Sequence, residues 1–488
     1  MATSPERRMR DSSGRPVCAV FTPLPPLATG VATYSLRLIL LTRDIIDWKV
    51  FFEEGSDPGL LPADVMHAPM SSARTSDLPG SRVFMLGNSP ECFGTAVALM
   101  EHRGCGVFHE TVMHHMLRFC CLRDGRIDLY RRLLGFDYGP AAGAVEKALS
   151  RRLPPSGFDA LLKRHPLVGR LVHASDPMVC LNPEAADVLG RISGWRRVVT
   201  VGHPLDPVPL PVPPSLAGCP PVVGMVGGGH PGRNAGVFVE ALHLLRSSGL
   251  PVEGALIGGG WPDDLPGWIT KTGRLDDAGY QGWIRRLTAA VDIRHPTCNE
   301  TSGSLLEVLR AGVPAVVTDS GPFARIDSGS VIRIPAPPDA RCLASAIRRI
   351  LADKALAASL SAGGARHAAA ESSPERARSD WLRIALMEPA ADPFTVPRPG
   401  SLAAAMHDPP PGFSLAARLD PEPVSWSFEG TVVLDPPPGR PVCLLTASGA
   451  GRAGSEPLSR EPRVFELEGK VVIEGRGRVS QAAWMAGR

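Results

Sequence analysis

A chain of 488 residues exceeds one ordinary domain and predicts two or three, and its 44% hydrophobic and 21% charged content is that of a soluble globular protein. The 52 basic and 49 acidic residues leave a formal charge of +3, which argues against a nucleic-acid binder with its strongly basic domain. The polar, basic opening MATSPERRMRDSSGRP has no apolar core behind it, no uncharged apolar run approaches the roughly 18–20 residues of a membrane span, and the ten cysteines form no CxxC pair. Together these predict a cytoplasmic protein with reduced thiols and no metal site, its residues 1–15 disordered.

In chain order, PVCAVFTP (Pro16–Pro23) predicts a strand, LPPLATG a Pro/Gly break and VATYSLRLILLTR a helix. The unit recurs: VFMLGNSP and GVFHE each lead into a helical segment, PMVCLN leads into PEAADVLGRI, and RRVVTVGHP comes after it. Short apolar strands alternating with helices predict a parallel sheet covered on both faces, here an α/β lobe over residues 16–203. PLDPVPLPVPPSLAGCPP is too rich in proline for helix or central strand and predicts a stiff linker over 204–221. The alternation then restarts with PVVGMVGGG, AGVFVEALHLLRSSG, VEGALIGGG and RRILADKALAASLSAGG, giving a second lobe over 222–390. Two Rossmann-like lobes facing across a cleft place ligands outside the carboxyl ends of the strands. Residues 391–488 open Pro-rich and continue into strand-like SWSFEGTVVLD, RPVCLLTAS and PRVFELEGKVVIEG, a small β appendage with no legible chemistry.

The stretch PTCNETSGSLLEVLRAGVPAVVTDSG (Pro296–Gly321) carries two glutamates around a small polar turn. A helix from near Ser302 to about Arg310 would end before Gly312, a glycine suited to a left-handed cap. On helical spacing Glu300 and Glu307 project to one side, about 10 Å apart along the axis. The N–H groups of the helix start attract phosphate, and carboxylates on either side accept hydrogen bonds from hydroxyls, a layout matching a diphosphate with a sugar at each end. The alternative is structural: Glu300 complements the helix dipole and Glu307 faces solvent.

The run RHPTCNETSGSLLEVLRAGVPAVVTDSGPFARI resembles the second-lobe signature of family 4 glycosyltransferases of the GT-B fold, in their GETSGSLL form, with Asn299 where that form has Gly. Three first-lobe stretches resemble the same subgroup: FTPLPPLATGVATYS, matching at Gly30, Ala32, Tyr34 and Ser35; LGNSP at Leu86–Pro90; and FHETVMHHML at Phe108–Leu117, with Glu110 for an aspartate. The resemblance spans roughly residues 16–385. It implies a retaining, metal-independent hexosyltransferase with no cofactor, moving sugar from a nucleotide diphosphate donor to a saccharide, lipid-linked or small-molecule acceptor in polysaccharide or glycoconjugate synthesis. By the same resemblance Glu307 holds the donor ribose, Glu300 contacts the transferred sugar, and the amides of Ser302, Gly303, Ser304 and Leu305 lie near the diphosphate. Gly30 approaches the donor from the opposite lobe, and His109 closes the sugar end.

Departures from the pattern matter too. Arg233 stands where the family has a lysine, but Gly228 stands where it has an arginine, leaving Arg274 or Arg294 to supply the second diphosphate cation. That gap keeps open a non-catalytic protein of this fold that binds a nucleotide sugar or a protein partner.

Rival motifs are weaker. In HETVMHH, His109 and His114 are five apart and cannot face one zinc ion, so His114 and His115 are expected to line or rim the cleft. The glycine triplets at 227–229 and 258–260 lack GxGxxG with its downstream acid, so hydride transfer is not indicated. Arginines at 118, 123, 126, 131, 132, 151 and 152 form either a solvated face or a basic surface for peripheral contact with the inner face of a membrane.

Overall fold

The computed structural model describes residues 10–73, 78–151, 155–193, 197–205 and 220–387, and beyond these only the strand stretches Trp426–Leu434, Val442–Ser448, Arg463–Leu467 and Lys470–Met485. Most of the expected Pro-rich linker, and all side chains after Met387, lie outside the described residues.

Val17–Thr22 (β1) is buried along its whole length, as a central strand covered on both faces requires. Around it Asp47–Phe52 (β2), Met66–Pro69 (β3), Ser81–Leu86 (β4), Gly104–Phe108 (β5), Ser175–Cys180 (β6) and Val198–Thr200 (β7) form a seven-stranded sheet in the order β3-β2-β1-β4-β5-β6-β7. All its pairings are parallel. The second sheet joins Val222–Val226 (β8), Glu253–Ile257 (β9), Ile269–Gly273 (β10), Ala289–Asp292 (β11), Ala315–Thr318 (β12) and Ile332–Ile334 (β13) in the order β10-β9-β8-β11-β12-β13, again all parallel. The expected pair of Rossmann-like lobes is therefore present. Strand β2, sequence DWKVFF, went unread because its polar start hides a half-buried strand.

Each sheet reverses its winding once, between β1 and β4 in the first and between β8 and β11 in the second. Such switch points leave a crevice at the strands' carboxyl ends, where ligands of open α/β sheets bind. The loops issuing there are Pro23–Thr29, Gly227–Arg233 and Ile293–Ser302.

Five of the helices position the site. Gly30–Thr42 (α1) starts at the first-lobe crevice, capped by the Thr29 hydroxyl on the Val31 amide. His114–Arg123 (α2) and Pro155–Arg164 (α3) cover the first lobe, and Gly303–Arg310 (α4) starts at the second crevice. Pro374–Ala385 (α5) comes after the second lobe in sequence but packs back on the first. Its Trp381 is fully buried, edge-on to Trp48 at 6.2 Å, in a core shared with Leu38 of α1.

Candidate functional site

The site is built on the turn Thr297–Ser302 and the start of α4. Ser302 is the N-cap: its Oγ accepts from the Leu305 amide at 3.2 Å and donates to Asp292 Oδ2 at 2.5 Å. The Leu305 amide is thus taken by the cap, and Gly303 and Ser304 present the leading N–H groups of the helix. Gly303 sits under the imidazole of His203, whose Nε2 is 3.1 Å from where a Cβ would stand, so a larger residue would meet the ring. Gly312, at φ 71°, closes the helix in the expected left-handed conformation.

The two glutamates do not share a helix face. Glu300 precedes the N-cap, so its direction is set by the turn, where Oε2 accepts from the Cys298 amide at 2.7 Å and from Thr297 at 3.1 Å. Its Oε1 accepts from Arg294 Nη1 at 3.1 Å. Glu307 is on the helix and only 4% exposed, which overturns the solvent-facing alternative. Its Oε1 accepts from Arg37 Nη1 at 2.7 Å, an ion pair reaching across from α1. Asn299 has φ 58°, in the left-handed region that asparagine tolerates, and its Nδ2 donates to Thr111 of the first lobe.

Two arginines converge on Asp292 at the end of β11. Arg294 donates through Nε to Asp292 at 3.0 Å and through Nη2 to Ser302 Oγ at 3.0 Å. Arg233, 2% exposed, lies 3.4 Å from Asp292 and donates to the Val226 carbonyl at 2.8 Å. Burial lowers the Arg233 guanidinium to about 10, still charged at neutral pH; burial pushes the Asp292 carboxyl up, but the two arginines and the Ser302 hydroxyl outweigh it and hold the carboxyl below its usual range. Arg233 Nη1 and Ser304 Oγ both border Gly227. Gly228 has open space where a Cβ would point. Arg274 stands apart from this cluster, donating across the cleft to the Pro26 carbonyl at 2.6 Å in the loop that leads to Gly30.

The first lobe contributes the opposite wall. His109, after β5, and His203, after β7, both meet Tyr34 edge-on, at 4.6 and 5.1 Å. His109 Nε2 and His203 Nδ1 are buried without a protein partner, and burial holds both imidazoles down at about 3, hence neutral. Glu110 accepts from the Asn88 amide at 2.9 Å, and burial, reinforced by Glu300, raises its carboxyl to about 7. The turn is laced to this lobe: Lys163 of α3 donates to the Pro296 carbonyl at 2.6 Å, and Asn182 donates to Asn299 O and Thr301 Oγ1 at 2.8 and 2.9 Å.

His114 does not line the cleft as expected. It is fully buried, with Nε2 2.9 Å from the Tyr130 hydroxyl and Nδ1 against the His165 carbonyl. His115 Nδ1 is paired with Asn88 at 3.0 Å. No group of three or more metal-ligating side chains occurs among the described residues.

The assembled geometry sets a helix N-terminus between two carboxylates at the switch point of the second sheet. Residues 220–353, which contain it, match the family described as glycosyl transferases group 1. The second lobe is thus similar to the group 1 glycosyltransferases. The two Rossmann-like lobes are those of the GT-B fold. Its fold is similar to that of HepE from Anabaena solved with UDP and glucose, at 12% identity over 75% of this chain and 98% of that one, with a TM-score of 0.51. Lower likenesses run to sucrose-phosphate synthase from Thermosynechococcus elongatus (16% identity, 76% and 96% of the chains, TM-score 0.48) and to WaaG, a glycosyltransferase of lipopolysaccharide biosynthesis (13%, 76% and 99%, 0.49). No curated protein matches the sequence.

The site residues that escaped the sequence reading include Arg37, Lys163, Asn182, His203 and Asp292. His203 and Asp292 carried a local signal, lying at or just past the carboxyl end of a strand.

Proposed function

We propose that the protein is a retaining glycosyltransferase that takes its hexose from a uridine diphosphate sugar, within the GETSGSLL-type subgroup its motifs resemble. The observation that carries the donor site is the Ser302-capped start of α4 with Glu300 on one side and Glu307 on the other. UDP and glucose are the ligands named for HepE, whose fold this chain resembles.

The roles come from position. Glu307 takes the ribose hydroxyls. The Gly303 and Ser304 amides, with Arg233 behind them, meet the negative charge that grows on the leaving diphosphate; preorganised donors of this kind supply several kcal/mol. Glu300, held by Arg294 and the Cys298 amide, orients the sugar ring. His109, neutral and with Nε2 unpaired, receives a sugar hydroxyl at the far end. Gly30 lets α1 approach the donor from the facing lobe, and Arg274 fixes the loop before it. Neither a metal nor a separate cofactor takes part in this reading, which places the diphosphate on the amides of the helix start.

The first lobe binds the acceptor. On α2, Phe119 is 54% exposed beside Leu122, with arginines at 118 and 123 on the same helix, which supports shallow contact with an anionic membrane surface carrying a lipid-linked acceptor. No helix among the described residues is long and apolar enough to cross a membrane. Residues 16–203 together with α5 form the acceptor lobe, and the chain from 222 up to α5 the donor lobe.

The test is thermal stability of the purified protein against UDP, GDP, ADP and dTDP sugars. A shift with UDP sugars that is lost in Glu307→Ala supports the donor site. A shift with another base only would replace uridine, and a flat panel from folded protein would sink the reading.

A further inference from the structure

The charges around the helix start do not suit an incoming diphosphate. Arg233 and Arg294 are the cations nearest it in the second lobe, and both are held by Asp292, with Glu300 also on Arg294. Two guanidinium groups and two carboxylates cancel, so this wall offers dipoles and hydrogen bonds but no net positive charge to a ligand that carries at least two negative ones.

A further cation stands at the mouth. Arg37 lies two turns into α1 from Gly30, on the face of the helix that looks at the second lobe, and pairs with Glu307 Oε1 at 2.7 Å. Glu307 is one helical turn beyond Ser304, about 5 Å along the axis. Arg37 also lies close enough to His203 and to Tyr280 to act on both electrostatically, and His203 covers Gly303. Arg37 is thus bound to Glu307 and close to the His203 that covers Gly303.

We infer that Arg37 is the cross-lobe cation for the donor's diphosphate, resting on Glu307 until the ribose hydroxyls take that carboxylate. The inference rests on the donor site proposed above. Its logic is exchange: hydroxyls replace the guanidinium on Glu307, and the guanidinium moves about one helical turn to a stronger anion. A charge-assisted, bidentate contact to phosphate is what an arginine makes best. Because the cation sits on the first lobe and the amides on the second, the diphosphate would clamp the two lobes together, whereas a nucleoside without phosphate would gain nothing from it.

Gly228 supplies an independent check. It neighbours Gly227, against which Ser304 packs, and a side chain placed on it would enter open space. An arginine there could restore a cation from the second lobe.

The experiment is calorimetric titration of wild type, R37A, R37Q, R37K and the double variant R37A/G228R with UDP and with uridine, each variant first checked for an unchanged melting curve. The expected result is a loss of about tenfold or more in UDP affinity in R37A and R37Q, with uridine binding unchanged or tighter because Glu307 is released. R37K should keep part of the affinity, and R37A/G228R should regain it. Equal or tighter UDP binding in R37A would overturn the inference and leave Arg37 a mere latch. Equal loss for UDP and uridine would overturn it too, since the effect would then lie at the nucleoside. If wild type does not bind UDP, the proposed donor site and this inference fall together; if wild type binds UDP and R37A binds it equally well, the donor site stands and this inference alone falls.

Discussion

Glu110 carries a titration the fold must tolerate. Its carboxyl is raised from 4.5 to about 7, first by burial and then by Glu300, with Lys163 and Arg294 pulling the other way. A folded pKa above the unfolded one means the native state holds a proton that the unfolded chain has released. Stability therefore falls as pH rises from about 4.5 to about 7 and stays lowered above it. Glu110→Gln keeps an acceptor for the Asn88 amide and removes the charge. It should melt about 2–4 °C above wild type at pH 8, with the gap narrowing toward pH 4, in paired melting curves across that range. A gap independent of pH would mean that Glu110 is already ionised in the fold. Glu300 is the counterpart at the same end: Glu300→Gln keeps its bond from the Cys298 amide but weakens that from Arg294, and turnover should fall at least tenfold with melting little changed, read from initial rates at saturating donor. Nothing in the order of residues announces the Glu110–Glu300 neighbourhood, because it arises only when the two lobes meet.

The start of α4 was the most legible element, because a cap is a local device. The sequence ETSGSLLEVLRAG contains the hydroxyl that caps, the glycine next to it and the glycine that ends the helix, and the structure uses all three. The direction of Glu300 was not legible, since it depends on where the helix starts, and a shift of two residues removes it from the helical face. The partners of Glu307 and Gly303 were less legible still. Arg37 is 270 residues from Glu307 in the chain, and no spacing rule reaches that far. At this scale two changes are informative. Ser302→Ala removes the cap and the hydrogen bond to Asp292 and should cost about 1–2 kcal/mol in urea unfolding. Asn299→Val places a β-branched residue at φ 58° and should cost about 1–3 kcal/mol, whereas Asn299→Gly should stay within about 1 kcal/mol of wild type despite losing the contact to Thr111. Equal losses in both Asn299 variants would assign the effect to the contact and not to the backbone.

At the scale of the molecule, the chain leaves the first lobe before the second begins and comes back to it through α5. Alternating strands and helices announced both lobes, but the return could not be read, because an amphipathic helix does not say which sheet it will cover. The return is built on apolar burial and on charge. Trp381, Ile384 and Ala385 enter the core of the first lobe, and Arg378 binds Asp44 through two parallel hydrogen bonds of 2.7 Å. The exposed arginine pair is worth less than about 1 kcal/mol, whereas emptying the space of a buried tryptophan costs about 3–5 kcal/mol. Trp381→Ala should therefore destabilise the first lobe by several times more than Arg378→Ala. Calorimetry distinguishes where the loss falls: the first-lobe transition should move to lower temperature, while the transition raised by UDP sugars, which belongs to the donor lobe, should move less. Because α5 comes after the donor lobe in sequence, a loss confined to that lobe would mean the helix stays with its sequence neighbours. A loss confined to the first lobe would make α5 part of the acceptor side, so that the chain segment leaving the donor site is anchored on the lobe it must close against.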